Sequence, residues 1–393
     1  VTVSVIVGDC VESMRALTAG TFQTCVTSPP YYGLRDYGVE GQIGLEDTPD
    51  AYIARMVDVF REVRRVLRDD GTCWLNIGDC YAGGSSGDRN PGTVKQGAGF
   101  IEKNAGRAAV KGHKPKDLLG IPWMLAFALR ADGWYLRSAI VWHKPNPMPE
   151  SVRDRPTSAY EMVFLLTKRA AYYYDAEAIA EDALTEGDDR AVRTDTRKLA
   201  DPMCADGGSR ARTGKPTGAT RNARNVWTIA TQPYSGAHFA TMPPDLAERC
   251  IKAGTSERGQ CPHCGKAWER QTAKGEPDRE WQRRSGGDAN GEYHGKSTKG
   301  HAEAGVQDAS EVKARILAGM APTLTTGWSP SCDCPEHVPV PQAVLDPFGG
   351  AGTTGLVADR LGRHATLCEL NPAYAELARE RITADAPLLG AVA

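Results

Sequence analysis

The chain has 393 residues, of which 41% are hydrophobic and 24% charged, and its net charge is −2. That length can bury about three quarters of the unfolded surface in two or three domains. The near-neutral charge excludes a protein that holds a polyanion by its global field, so nucleic-acid contacts must come from local basic patches. Eleven cysteines, scattered apart from two tight pairs, argue for a reducing compartment with a metal site and against a disulfide framework. The apolar start Val1–Val7 is too short for a secretion signal. The apolar region Leu118–Leu129 is broken by Gly120 and Pro122 and falls short of the ~20 residues a membrane helix needs. A soluble, intracellular protein with no membrane partner is expected.

In chain order, Val1–Val7 reads as a strand that turns at Gly8-Asp9-Cys10 into a helix over Val11–Leu17. Asp9 is either a helix N-cap or an acid facing a ligand at a strand end. Phe22–Val26 is a short buried strand, and Thr27-Ser28-Pro29-Pro30-Tyr31-Tyr32 follows it. Two prolines in series lack N–H groups and fix φ, so the chain is stiff where it leaves the sheet. The hydroxyl and carbonyls of this loop can accept hydrogens from an exocyclic amine, and Tyr31 can stack on a ring. A nucleobase fits; a plain proline turn at a domain edge is the alternative.

The glycine-rich run Tyr32–Gly44 has the composition of a mobile lid. Thr48 caps a helix opened by Pro49 that runs to Leu67, and Thr72–Ile77 is a strand. Residues 82–116 form an expected flexible insertion, with seven Lys or Arg against one Glu between Arg89 and Lys116, suited to phosphate contact. A helix over Ile121–Ala131, a strand over Tyr135–Trp142, a loop with three prolines over His143–Glu150 and a strand over Glu161–Thr167 follow. From Glu177 to Asn225 apolar residues are few. Five Lys or Arg and no acid lie between Gly207 and Val226. Arg210, Arg212, Arg221 and Arg224 are candidates for guanine edges or phosphates; a solvated loop is the alternative.

A helix over Asp245–Ala253 leads to Cys261-Pro262-His263-Cys264-Gly265. Cys-x-x-Cys with Pro and Gly makes a tight turn whose N–H groups face both sulfurs, and thiolates at tetrahedral spacing favour zinc. Cys332 and Cys334, beyond 67 intervening residues, are the only other close pair. A structural four-cysteine Zn2+ site is expected, with a redox pair as the alternative. At the C-terminal end a strand over Ala343–Leu345 runs into Asp346-Pro347-Phe348-Gly349-Gly350-Ala351-Gly352-Thr353-Thr354-Gly355, then a helix from Thr353, a strand over Ala365–Cys368, and Glu369. A Gly-rich turn, a helix N-terminus and an acid 23 residues after Asp346 suit a ligand with ribose hydroxyls. Gly350, Gly352 and Gly355 also satisfy the dinucleotide fingerprint, so a nicotinamide-dependent dehydrogenase has to be weighed, although no His stands out as its acid/base.

Together, the Ser-Pro-Pro-Tyr loop and the Asp-Pro-Phe-Gly-Gly-Ala-Gly-Thr-Thr loop resemble the catalytic and S-adenosylmethionine motifs of the DNA amino-methyltransferases, in the order of their permuted beta group. The resemblance implies a Rossmann-like α/β fold: a seven-stranded, mostly parallel, circularly permuted sheet with an inserted recognition region and a zinc knuckle. It implies a catalytic half over 1–174, target recognition over 175–226, a cofactor-wrapping segment over 227–258, the zinc-knuckle insertion over 259–336 and a cofactor-binding half over 337–393. Ser28, Pro29, Pro30 and Tyr31 would be catalytic. Asp9, Phe239, Thr241, Asp346, Phe348, Gly349, Gly350, Gly352, Thr353 and Glu369 would hold the cofactor. Trp142, Lys144, Asn146 and Arg155, in W-x-K-P-N-P-M-P-E-S…R-x-R-P-T…Y-E, would lie near the flipped base. Ser at the first motif position implies cytosine N4 as the target, with adenine N6 as the alternative and a protein or RNA amide nitrogen as a further one. Double-stranded DNA is the implied partner, alongside a cognate restriction endonuclease, in a cytoplasmic, nucleoid-associated setting. A zinc-ribbon DNA-binding protein without catalysis is the reading from a different class.

Overall fold

The computed structural model describes residues 1–83, 110, 112–184, 216–232, 234, 241–275, 321–385 and 391–392. They divide into two compact units. Val1–Asp175, Arg224–Glu269 and Pro330–Ala393 make the larger; Ala176–Ala223 and Arg270–Ser329 make the smaller.

The described strands are β1 (Thr2–Val7), β2 (Phe22–Thr27), β3 (Leu67–Ile77), β4 (Tyr135–His143), β5 (Tyr160–Thr167), β6 (Glu181–Leu184) and β7 (Pro216–Arg221). After them come β8 (Val226–Thr228), β9 (Trp268–Lys274), β10 (Thr323–Pro330), β11 (Ala343–Asp346), β12 (His364–Glu369) and β13 (Ala391–Val392). The helices that cover the sheet are α1 (Cys10–Arg15), α2 (Pro49–Val66), α3 (Ile121–Ala131), α4 (Pro244–Gly254), α5 (Thr353–Arg360) and α6 (Pro372–Asp385).

The larger unit is built on one sheet in the order β13-β1-β12-β11-β2-β3-β5-β4-β8. Neighbours from β13 to β3 run parallel; β5 is antiparallel to both β3 and β4, and β8 is parallel to β4. The sheet therefore has nine strands among the described residues where seven were expected. The two extra strands are its edges, β8 and β13, three and two residues long. Segments that short carry no period of their own and become strands only because a neighbour offers a free ladder.

Each element forms for local reasons. All six residues of β2 are buried, which suits a central strand covered on both faces. Its polar members are paired: Thr24 and Thr72 share a hydroxyl hydrogen bond of 2.9 Å, and Gln23 accepts from Gln342 at 2.8 Å. The α2 N-terminus is capped by Thr48, whose hydroxyl accepts from the Ala51 N–H, with Pro49 in the first turn. Tyr52, Met56, Val59, Phe60 and Val63 on its inner face are fully buried, each contributing roughly 1.5–3 kcal/mol of apolar transfer. Among the described residues no helix is long and apolar enough to cross a membrane.

The decisive topological fact is the place of β11. It lies between β12 and β2, pairing Val344 with Thr24 and Leu345 with Cys25. Because β11 and β2 are parallel neighbours, the loops that follow them leave the same edge of the sheet side by side. In the smaller unit, β6 and β7 form an antiparallel ladder with Glu181 opposite Arg221, and β9 and β10 form a second two-stranded sheet.

Candidate active site

The two motif loops meet over β2 and β11, and a single side chain joins them. Asp346 ends β11 and is 3% exposed. One of its oxygens accepts from the Thr27 hydroxyl at 2.6 Å and the Phe348 N–H at 3.0 Å; the other accepts from the Thr354 hydroxyl at 2.7 Å. Burial pushes its carboxyl pKa up, against the pull of these three donors. Thr27 immediately precedes Ser28, so the joint fixes the stiff loop to the glycine-rich one.

The Ser28-Pro29-Pro30-Tyr31 loop is held from below as well. Tyr52 of α2 donates its hydroxyl hydrogen to the Pro30 carbonyl at 2.9 Å and packs against Tyr32, ring centroids 5.6 Å apart. The Pro29 carbonyl has no partner among the described residues. The expected lid is tied to itself: Gly33 N–H donates to the Gly44 carbonyl, and the Gln42 side chain bridges the Arg35 carbonyl and the Tyr37 N–H.

Around Ser28 lies a polar array. Tyr31 donates to Glu161 at 2.6 Å, and Asn76 Nδ2 stands 3.3 Å from Ser28 Oγ, 3.0 Å from Tyr31 Oη and 3.1 Å from Glu161 Oε2. Glu161 also pairs with Lys144, whose ammonium lies 4.5 Å from the centroid of the Trp142 ring. Asn76 is 3% exposed, and its Oδ1 has no partner among the described residues. Gly78 is required here: a Cβ at that position would come within 2.6 Å of Tyr31 Cε2.

On the other side, Gly350 and Gly352 take positive φ, +51° and +75°. A Cβ at Gly352 would meet Ala378 of α6 at 2.8 Å, so only glycine lets the loop lie against that helix. Glu369, at the end of β12, accepts from the Gly350 N–H and the Asn371 N–H, both at 2.8 Å. Asn371 caps α6 through the Ala373 N–H, just ahead of Pro372 in its first turn.

These groups enclose a cavity of about 810 Å3, within the range of small-molecule sites. Ser28, Pro29, Pro30, Tyr31, Trp142, Lys144 and Asn146 line it from one side; Asp346, Phe348, Gly349, Gly350, Thr353 and Glu369 line it from the other, with Asp9 and Thr241. Asp9 is also a helix cap: it accepts from the N–H groups of Val11 and Glu12 and pairs with Arg55 at 3.1 Å. Asn146 exchanges hydrogen bonds with the Thr231 backbone. Arg155 lies outside the cavity lining, paired with Glu150 and set over the Tyr81 ring. Arg221 pairs with Glu181 in the smaller unit, and Arg224 is exposed. Phe239, Arg210 and Arg212 lie outside the described residues, as do residues 84–109 and 111 of the basic insertion.

Sequence reasoning assigned no role to Asn76, and none to Glu161 beyond its place at the end of the quoted motif. Each had a signal, because Asn76 is the polar interruption of the apolar run Cys73–Ile77, and Glu161 heads an almost wholly apolar strand.

The family model for N6/N4 DNA methylases covers residues 22–261 and 337–380, both motif loops included. The chain belongs to the N6/N4 DNA methylase family. Among its relatives, the Type II methyltransferase M.SmaI of Serratia marcescens is 38% identical over 384 residues, covering 96% of this chain and 90% of that one. The Type II methyltransferase M.Cfr9I of Citrobacter freundii is 46% identical over 254 residues, 63% of this chain and 71% of its own. The solved PvuII cytosine-N4-specific DNA methyltransferase aligns over 100% of this chain and 95% of its own, with 14% identity and a TM-score of 0.50, a likeness of fold. Family membership removes the dehydrogenase reading that the glycines alone left open.

A second constellation of this methylase lies apart from the cavity lining. Cys261, Cys264, Cys332 and Cys334 place their sulfurs within 4.8 Å of one another. The N–H groups of Cys264 and His263 hold the Cys261 thiol down to about 6, against the upward push of desolvation. His337 stands outside the four: its Nε2 accepts from Trp268 at 3.2 Å, so its Nδ1 carries the hydrogen, toward the Pro335 carbonyl at 2.7 Å.

Proposed function

We propose that this DNA methylase transfers a methyl group from S-adenosylmethionine to the N4 amine of a cytosine swung out of duplex DNA. The observation that carries the reading is the Thr27–Asp346 hydrogen bond of 2.6 Å, which brings the amine-holding loop and the glycine-rich loop into one cavity. The cofactor fits the residues present: the Gly349–Gly352 turn offers backbone close to the ligand, and Glu369 has lone pairs left for ribose hydroxyls. Asp9, Thr241, Phe348 and Thr353 complete that side, and Phe239 is assigned to it by sequence. S-adenosylmethionine, when bound, supplies an electrophilic methyl on a positively charged sulfur.

Every other part of the chemistry belongs to the chain. An exocyclic amine is a weak nucleophile because its lone pair is delocalised into the ring, so positioning is the main need. Ser28 Oγ and the Pro29 carbonyl accept its two hydrogens and aim the nitrogen. Unstacking the base costs a few kcal/mol, offset in part by stacking on Tyr31. Trp142, Lys144 and Asn146 shape the far wall. The family relation to Type II enzymes extends the reading to duplex DNA as partner, with a cognate restriction endonuclease. The sheet, whose central strand β11 comes from the C-terminal part of the chain, fits a circular permutation.

The test is incubation with unmodified plasmid DNA and methyl-labelled cofactor, followed by mass spectrometry of the nucleosides. 4-Methylcytosine is expected; 6-methyladenine would move the target to adenine, and an absence of both would refute the reading.

The cysteine cluster is read as a structural zinc site. Tetrahedral Zn–S bonds of ~2.3 Å put sulfurs about 3.8 Å apart, a separation the four side chains reach with small adjustments. With four thiolates no position is left for a reacting water, so the role is to hold the chain on both sides of residues 270–329. Metal analysis of the purified protein should give one zinc per chain; finding none in protein purified without chelator refutes the site.

A further inference from the structure

We propose that Glu161 is a positioning residue that acts through Tyr31 to orient the Ser28 hydroxyl and to take up the proton the methylated amine must shed. This rests on the amine-methylation reading above. A carboxylate only accepts, and Glu161 is paired with the Lys144 ammonium. Tyr31 therefore spends its one hydrogen on Glu161 at 2.6 Å. Burial, and then the charge of Glu161, push the Tyr31 pKa up, so its hydroxyl stays neutral and keeps that hydrogen. Asn76 Nδ2 can only donate, to oxygens 3.0–3.3 Å away. Among the described residues the Ser28 hydrogen then has one acceptor in reach, Tyr31 Oη at 3.4 Å. That distance is long for a hydroxyl pair.

With its hydrogen turned toward Tyr31, Ser28 presents a lone pair to the amine, and the aligned hydroxyls polarise one another. One buried charge thus lets a neutral hydroxyl act as a directed acceptor. The same array gives the proton a path. As the N–C bond forms and the donor's C–S bond breaks, its electron pair staying on sulfur, the amine nitrogen is left with one proton in excess. That proton passes to Ser28 Oγ, the Ser28 proton to Tyr31 Oη, and the Tyr31 proton to Glu161 Oε2. The hydroxyls are restored and Glu161 ends as a carboxylic acid, which returns its proton to water.

Single-turnover and steady-state methylation of unmodified plasmid DNA by the full chain tests this with Glu161→Gln, Tyr31→Phe and the double variant. Each single change should lower kcat roughly 10-fold to 100-fold, a share of the usual acid–base contribution. KM for DNA and affinity for the cofactor should stay within about twofold. Because the two residues act in series, the double variant should be no slower than the worse single one. The proposal is overturned if either soluble variant keeps its kcat, if the two losses multiply, or if KM rises while kcat holds. Should Glu161→Gln fail to fold, Tyr31→Phe, which keeps the ring, decides alone. A wild-type protein that makes no methylated amine would refute the function and not the relay.

Discussion

Replacing Thr27 by valine keeps the shape of the side chain and deletes one hydrogen bond, the 2.6 Å contact from its hydroxyl to Asp346. Thr27 is fully buried and Asp346 is 3% exposed, so water cannot take the lost place. A hydrogen bond to a charged group contributes about 1.5–3 kcal/mol, so Thr27→Val should cost near 2 kcal/mol. With a urea slope of roughly 2 kcal/mol/M, the unfolding midpoint should fall by about 1 M. Thr354→Val removes the other hydroxyl donor and should cost a similar amount. The double variant should cost less than the sum. Burial already pushes the Asp346 carboxyl up, and with both donors gone it takes a proton and escapes part of the penalty. A coupling of about 0.5–3 kcal/mol is expected between residues that share one partner. The assay is urea unfolding of the three variants beside calorimetric titration with S-adenosylmethionine, whose affinity should fall with stability. If Thr27→Val unfolds within about 0.5 kcal/mol of wild type, or the two changes add, Asp346 is not the joint between the loops.

Three further outcomes follow from the same geometry. Gly78→Ala would drive a Cβ to 2.6 Å from Tyr31, and the misplaced ring should slow methyl transfer at least ~10-fold with the far-ultraviolet circular dichroism unchanged. Burial raises the Glu369 carboxyl pKa, opposed by the Asn371 and Gly350 N–H groups. A raised folded value means stability that is present below the ordinary carboxylate range and lost as pH climbs through the raised value. Glu369→Gln should therefore flatten the fall in urea midpoint above the ordinary carboxylate range, where wild type declines. Cys332→Ser should release zinc on dialysis and lower the melting temperature, while treatment with a chelator should affect wild type and spare the variant already without metal.

The positions of α3 and β5, and the Thr48 cap, were legible because each depends on neighbours in sequence: a buried face, a capping oxygen, a proline in the first turn. The cysteine cluster was legible for a different reason, since thiols in two close pairs have few other uses. Asp9 shows where local reading divides, because the same carboxylate is an N-cap and part of the cavity wall. Asn76 and Glu161 were opaque. A lone polar residue in an apolar strand declares only that something must satisfy it, and its partners, Ser28, Tyr31 and Lys144, stand on other strands and loops. Arg155, which its motif places near the substrate, pairs with Glu150 over the Tyr81 ring, partners that no spacing in the sequence announces.

By itself, the sequence determined the chemistry: a hydroxyl on a rigid proline loop, a glycine turn before a helix, and the order in which they occur. Tertiary structure alone decided that they form one site. A hydrogen bond between residues 319 positions apart leaves no local trace, since it exists only after β11 has entered the sheet beside β2, and sheet pairing is a matter of global fit that no window of residues encodes.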